Sequence, residues 1–136
     1  MKTIAKSLLL VLTVALCVAG AQAQSQTMLK GDVPFNFIVG NQNLPAGEYT
    51  VKSLENEIEA WYGPDGHAFI LRTIPMGELA SADTTKLVFL HSGDQYYLSE
   101  VWSEGVSHEV RASRTQQQIA RKVKFETVAV LMTSRR

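Results

Sequence analysis

The sequence predicts a mainly β protein: an antiparallel sandwich or small barrel of six or seven strands, with one C-terminal helix. Three observations carry that prediction. From Val33 onward, apolar and polar residues alternate over short runs, the two-residue period of a half-buried strand. Turn signals separate the runs, among them Leu44-Pro45-Ala46-Gly47, Gly63-Pro64-Asp65-Gly66 and Ser92-Gly93-Asp94-Gln95. Near Ser113 the period changes to that of a helix, and at Glu126 it changes back.

Taken in order, Val33, Phe35, Phe37 and Val39 alternate with Pro34, Asn36 and Ile38 in the first strand. Pro34 cannot donate to a ladder, so it belongs at the strand's start or on an edge. Pro45 suits the second turn position and Gly47 the fourth, and Tyr49 and Val51 then open the next strand. A hairpin pairs Glu57–Tyr62 with His67–Arg72 across the Pro-Asp-Gly turn. Residues 74 to 85 mix turn formers with small residues and read as a loop. Lys86–His91 is apolar on both faces, as in a covered central strand. It turns back into Tyr96–Ser103, where strict alternation puts Tyr96, Leu98 and Trp102 on one face and Tyr97 and Val101 on the other. Between Ser113 and Lys124, Ile119, Ala120 and Val123 fall near one helical face, with Arg114, Gln117, Gln118 and Arg121 on another. Ser113 and Gln116 have the spacing of a capping box. Glu126–Thr133 is the closing strand.

The first 23 residues stand apart from that pattern. Lys2 and Lys6 precede the apolar run Ser7–Val18, and Ala21-Gln22-Ala23 follows as a small-x-small cleavage signal, with the cut expected before Gln24. The run is too short to span a bilayer comfortably, where about 20 residues are needed. Residues 1–23 therefore read as a secretory leader and 24–136 as a single β-rich domain, periplasmic or extracellular, with no transmembrane segment once the leader is gone. Cys17 is preceded by Leu16, whereas a lipid-attachment cysteine needs a small residue there. It is the chain's only cysteine, so the exported domain has no disulfide, thiol nucleophile or Cys-based zinc site. It keeps eleven of thirteen basic residues and all thirteen acidic ones, a net charge of −2. That balance gives no support for nucleic-acid binding.

Two blocks, VPFNFIVGNQNLPAGEYTV from Val33 and KLVFLHSGDQYYLSEVW from Lys86, resemble a family of small exported bacterial β-proteins of unknown function. Its members share V-P-F-x-F-x-V-G-N, L-P-A-G-x-Y, K-L-V-F and G-D-Q-Y-x-L in that order. The resemblance covers Val33 to Trp102 except residues 55 to 85, and it implies export without implying an activity or a cofactor. Asn36 stands where relatives often carry an acidic residue.

Candidate chemistry is sparse. His67, His91 and His108 form no HxH or HExxH spacing, so no metal site is predicted. No Gly-x-Ser-x-Gly elbow is present. The Gly- and Pro-punctuated stretch after Val39 lacks the strand-to-helix context of a phosphate loop. Glu55, Glu57 and Glu59 are spaced to share one strand face, as the paired carboxylates of a carbohydrate-active hydrolase would require, or a solvated strand edge. Trp61, Tyr62, Tyr96, Tyr97 and Trp102 are the candidate ligand-binding aromatics, suited to glycan or protein contact unless they fill the core. From Arg111 to Arg136 seven basic residues oppose Glu126 alone, a net of +6. Arg111, Arg114, Arg121, Lys122 and Lys124 are thus candidate contacts to an anionic surface, to the Glu55–Glu59 row within the chain, or the wet face of the helix. The reading that follows is an exported, non-enzymatic domain for binding or assembly without a cofactor, with the hydrolase as its alternative.

Overall fold

The computed structural model describes residues 26–81 and 83–135; the predicted leader, with Cys17, lies outside the described residues. The described residues are mainly β with one α-helix. Its strands are β1 (Met28–Val33), β2 (Phe37–Val39), β3 (Gln42–Leu44), β4 (Gly47–Ser53), β5 (Ile58–Tyr62), β6 (Ala68–Leu79), β7 (Lys86–Ser92), β8 (Gln95–Ser103), β9 (Val106–Val110), β10 (Glu126–Leu131) and β11 (Thr133–Arg135). The helix α1 spans Arg114–Ala120 between β9 and β10. The ladder runs β10-β7-β8-β9-β6-β5-β4-β1-β11, with the β2–β3 hairpin joining at the start of β8. Every pairing is antiparallel except Ile38 beside Tyr97.

The sheet is an open, sandwich-like fold of eleven strands, not a closed barrel of six or seven. It folds over because two stretches of chain serve both layers. Residues 68–72 of β6 pair with β5, and the remainder of the strand pairs with β9. The last stretch lies on β7 as β10, turns at Met132, and lies on β1 as β11. Between the layers sits an apolar core containing Leu29, Val33, Phe37, Tyr49, Val51, Trp61, Leu87, Phe89, Leu98 and Val101.

Several boundaries differ from the sequence reading, each for a local reason. The run Val33–Val39 is interrupted at residues 34–36, since Pro34 ends the β1 ladder, yet Val33, Phe37 and Val39 all face the core. Six residues of the expected loop, 74–79, are strand, because β9 (not anticipated) supplies a partner. The ladder there absorbs its turn formers through a register shift between Pro75 and Leu79. The helix is shorter than 113–124, although Ser113 caps it as expected, its side chain accepting from the Gln116 amide at 3.1 Å.

A bulge in β8 corrects the assignment of its faces. Val88 faces Glu100 but Phe89 faces Leu98, so Ser99 is the extra residue. Beyond it the alternation inverts. Leu98 and Val101 both point into the core, and Trp102 joins Tyr97 on the outer face.

Two turns flank β8 and differ in surroundings. Gly93 in the β7–β8 turn has φ +59° and open space where a side chain would project. Gly105 in the β8–β9 turn has φ +88°, and a Cβ there would meet the backbone oxygens of Ser81 and Ala80 at 2.7 and 2.8 Å. Its own amide donates to Thr84 O and its carbonyl accepts from Ala80 N, which docks these two residues of the adjoining loop. Gly93→Ala is therefore expected to cost about 1 kcal/mol, the strain of a left-handed alanine. Gly105→Ala should cost clearly more, because fixed backbone must move. Urea melts of the two variants compare them directly, and equal costs would mean that the loop yields.

A candidate carboxamide cleft

The β2–β3 hairpin lies beside the start of β8 with Phe37, Val39 and Leu44 in the core, and the candidate site lies at its root. The bend at residues 34–36 exists because Pro34 stops β1 and Phe35 is drawn inward, onto Phe89 at 4.9 Å and Tyr96 at 3.7 Å. Asn36 follows, and its Oδ1 accepts from the Ala46 amide at 2.9 Å, tying the entry of the hairpin to its exit. The Tyr49 hydroxyl donates to Pro45 O at 2.6 Å and fixes the same exit from below. Opposite stands the β7–β8 turn with Asp94 and Gln95. Between them is a cleft of about 360 Å³ lined by Asn36, Asn43, Pro45, Asp94, Gln95 and Tyr96, over a floor of Phe37 and Leu44.

The polar groups of this cleft are partly preset. The Gln95 Oε1 accepts from the Tyr97 hydroxyl at 2.6 Å, as the Asn36 Oδ1 accepts from Ala46. With both amide oxygens engaged, the two NH₂ groups remain as donors, and the Asp94 carboxylate is an acceptor. No cation lines the cleft. Donors and acceptors on neutral amides beside one carboxylate are suited to hydroxyl groups rather than to anions.

The five aromatics singled out from the sequence do not form one surface. Trp61 is fully buried, against Tyr49 and Phe69. Tyr96 reaches the cleft, but Phe35 covers one side of its ring and His91, at 4.2 Å, also stacks on it. Tyr97 is buried on the outer face against Phe125, and Trp102, also there, donates its indole N–H to Glu100 at 2.7 Å with Lys86 over its ring. Tyr62 alone of the five is exposed, with the Lys52 ammonium 5.3 Å from its ring centre. The basic residues Arg111, Arg114, Arg121, Lys122 and Lys124 are all exposed, in and around α1, and none forms an ion pair among the described residues.

The acidic row is not formed. Asn56 and Glu57 have φ of +59° and +62°, so they make a turn, and Glu55 and Glu57 are solvated there. Glu59 points the other way, into the interior beside Trp61, and accepts from its indole Nε1 at 3.0 Å. No carboxylate pair from this row flanks an open cleft, which removes the geometric basis of the hydrolase alternative.

Asn36, Asn43, Asp94 and Gln95 were not legible as site residues, since turn formation already accounts for residues of these types. The one signal was indirect: every residue lining the cleft comes from Val33–Val51 or Lys86–Trp102, the two sequence blocks singled out above. No protein-family model, curated protein or solved structure matches the chain.

Burial pushes the Glu59 carboxyl up from 4.5 to about 7, and the Trp61 hydrogen bond only partly offsets this. The folded protein thus holds that proton more tightly than the unfolded chain does. Its stability contribution is fully present below pH 4.5 and is lost as pH rises through about 7. The loss is about 3 kcal/mol at most. Glu59→Gln keeps the shape and an acceptor for Trp61 without a charge. Chemical melts at pH 4 and pH 8 should show wild type losing stability across that window and Glu59→Gln losing markedly less; parallel losses would place the titration elsewhere.

Proposed function

We propose that the protein is an exported, non-enzymatic β-domain that acts by binding, and that the carboxamide cleft holds a hydroxyl-rich ligand such as a glycan. The observation that carries this reading is the cleft's chemistry: two amide groups with their oxygens engaged internally, an exposed Asn43 and the Asp94 carboxylate around an apolar floor. Sugar recognition combines such bidirectional polar groups with apolar contact. Export is supported by the leader-like residues 1–23 and by the resemblance of the two blocks to exported proteins. Among the described residues, no helix is long and apolar enough to cross a membrane.

The test is calorimetric titration of the protein purified from the exported fraction with soluble glycans, beside Asn43→Ala and Asp94→Ala. Saturable binding lost in both variants is the expected result. Binding that neither variant weakens, or no saturable binding to any glycan, would overturn the assignment. Sequencing the N-terminus of the same preparation should begin at Gln24, and a retained Met1 would contradict processing of the leader.

Strand-edge assembly is a second reading with an observation of its own. Among the described residues β10 pairs only with β7, carries neither Pro nor Lys, and leaves Leu131 81% exposed. Such an edge is unprotected against pairing with another chain. Sedimentation should then give a mass that rises with concentration and falls back in Ala129→Lys; a constant monomer mass removes this reading.

A further inference from the structure

The tip of the β2–β3 hairpin borders a different cavity. It has a volume of about 430 Å³ and is lined by Val39, Gly40, Asn41 and Gln42 on one side and by Phe69 to Arg72, Val110 and Arg111 on the other. No carboxylate lines it. Thr73 and Val110 are the last cross-strand partners at this end of the β6–β9 ladder, and the next residue of each chain segment, Arg72 and Arg111, lines the cavity. Both are exposed and neither has an ion-pair partner among the described residues. Like charges lining one cavity repel each other. An anion between them would reverse that sign.

The walls supply the rest. Thr73 N donates to Glu57 O and Gly63 N to His67 O, so the odd-numbered residues of this part of the ladder direct their backbone groups toward β5. Ile70, alternating with them, directs its backbone groups away from β5, on the side where the β9 register begins only at Thr73. Its side chain is 72% exposed; Phe69 and Leu71, partly buried against the core, also line the cavity, with the buried Val39 and Val110 beneath. Two guanidinium groups next to an apolar wall suit an anionic head carried on a hydrocarbon body.

We propose that this cavity is a binding site for an anionic amphiphile, with Arg72 and Arg111 holding a carboxylate or phosphate group and the Phe69–Leu71 wall taking its apolar part. The inference goes beyond the glycan reading and stands apart from it in space, at the hairpin's tip instead of its root. Failure of either leaves the other measurable, because Asn43 and Asp94 do not line this cavity.

Decanoate below its micelle concentration is the probe, with inorganic phosphate and anionic phosphatidylglycerol vesicles as comparison arms. Decanoate should bind saturably with one molecule per chain, and inorganic phosphate at least tenfold more weakly, since it lacks the apolar part. Arg72→Met and Arg111→Met should each weaken decanoate at least tenfold. Their melting temperatures without ligand should hold or rise, because each removes a like-charge neighbour. That combination separates ligand contact from a structural role. Unchanged affinity in both variants would overturn the proposal. So would binding confined to vesicles and abolished by Arg121→Met with Lys122→Met but not by Arg72→Met, which would assign the anionic contact to the region around α1.

Discussion

The two ends of the sheet are held together by one stretch of chain turning at Met132. Without a disulfide after Cys17, nothing covalent staples the layers. Instead, the Met132 amide donates to Thr85 O at 3.0 Å on the β7 side, and one residue later Thr133 hydrogen-bonds Lys30 O at 3.0 Å on the β1 side. The Met132 side chain is buried, and a Cβ on Gly31 would overlap its Sδ. Glycine at that position thus permits the close approach of β1 to the turn. The contacts to β1 join residues about a hundred positions apart, so the fold is complete only when β10 and β11 dock. Long-range pairing of this kind makes β topologies slow to form.

Within that frame a continuous run of rings crosses the interior. Tyr96 stacks on Phe35, Phe35 meets Phe89, Phe89 meets Phe37, Phe37 meets Tyr49, Tyr49 meets Trp61, and Trp61 stacks on Phe69. The run begins at the carboxamide cleft and ends at the wall of the arginine cavity. Edge-to-face and stacked pairs contribute about 0.5–1.5 kcal/mol each beyond the area they bury. A fully buried indole N–H needs an acceptor, and Glu59, two residues earlier on the same strand face, provides one. The interior thereby accepts a carboxyl group whose charged form burial disfavours and the indole hydrogen bond partly supports.

Alternation was legible wherever the ladder is regular. Val33, Phe37, Val39, Tyr49, Val51, Leu87 and Phe89 all face inward as the two-residue period requires. It failed at Ser99, where a bulge inserts one residue and sends Trp102 outward; nothing in Leu98-Ser99-Glu100 announces it, since the bulge depends on the pairing with β7. It failed again at Glu55–Glu59, because Asn56 and Glu57 adopt left-handed backbone and β5 starts only at Ile58. Pro75 and Gly77 looked like loop residues but lie within β6, where β9 supplies pairing that no local pattern reveals. The site was the least legible part. Asparagine and glutamine in turns have sufficient local reasons to be there, and only the folded chain shows which of them meet.

The β2–β3 hairpin explains why two such different cavities lie side by side. Its strands are three residues each, and an isolated two-stranded hairpin is marginal in water at best. It persists because Phe37, Val39 and Leu44 are buried under it and the Asn36–Ala46 hydrogen bond cinches its base. Its exposed residues, Asn41, Gln42 and Asn43, then contribute nothing to the core and project into the clefts on either side. Root and tip differ in charge because they face different neighbours: the Asp94 turn at one end, the Arg72–Arg111 pair at the other. Both clefts depend on the seating of one small element. A substitution that unseats Phe37 would therefore disturb the two together, whereas changes at Asp94 or Arg72 act on one cleft alone.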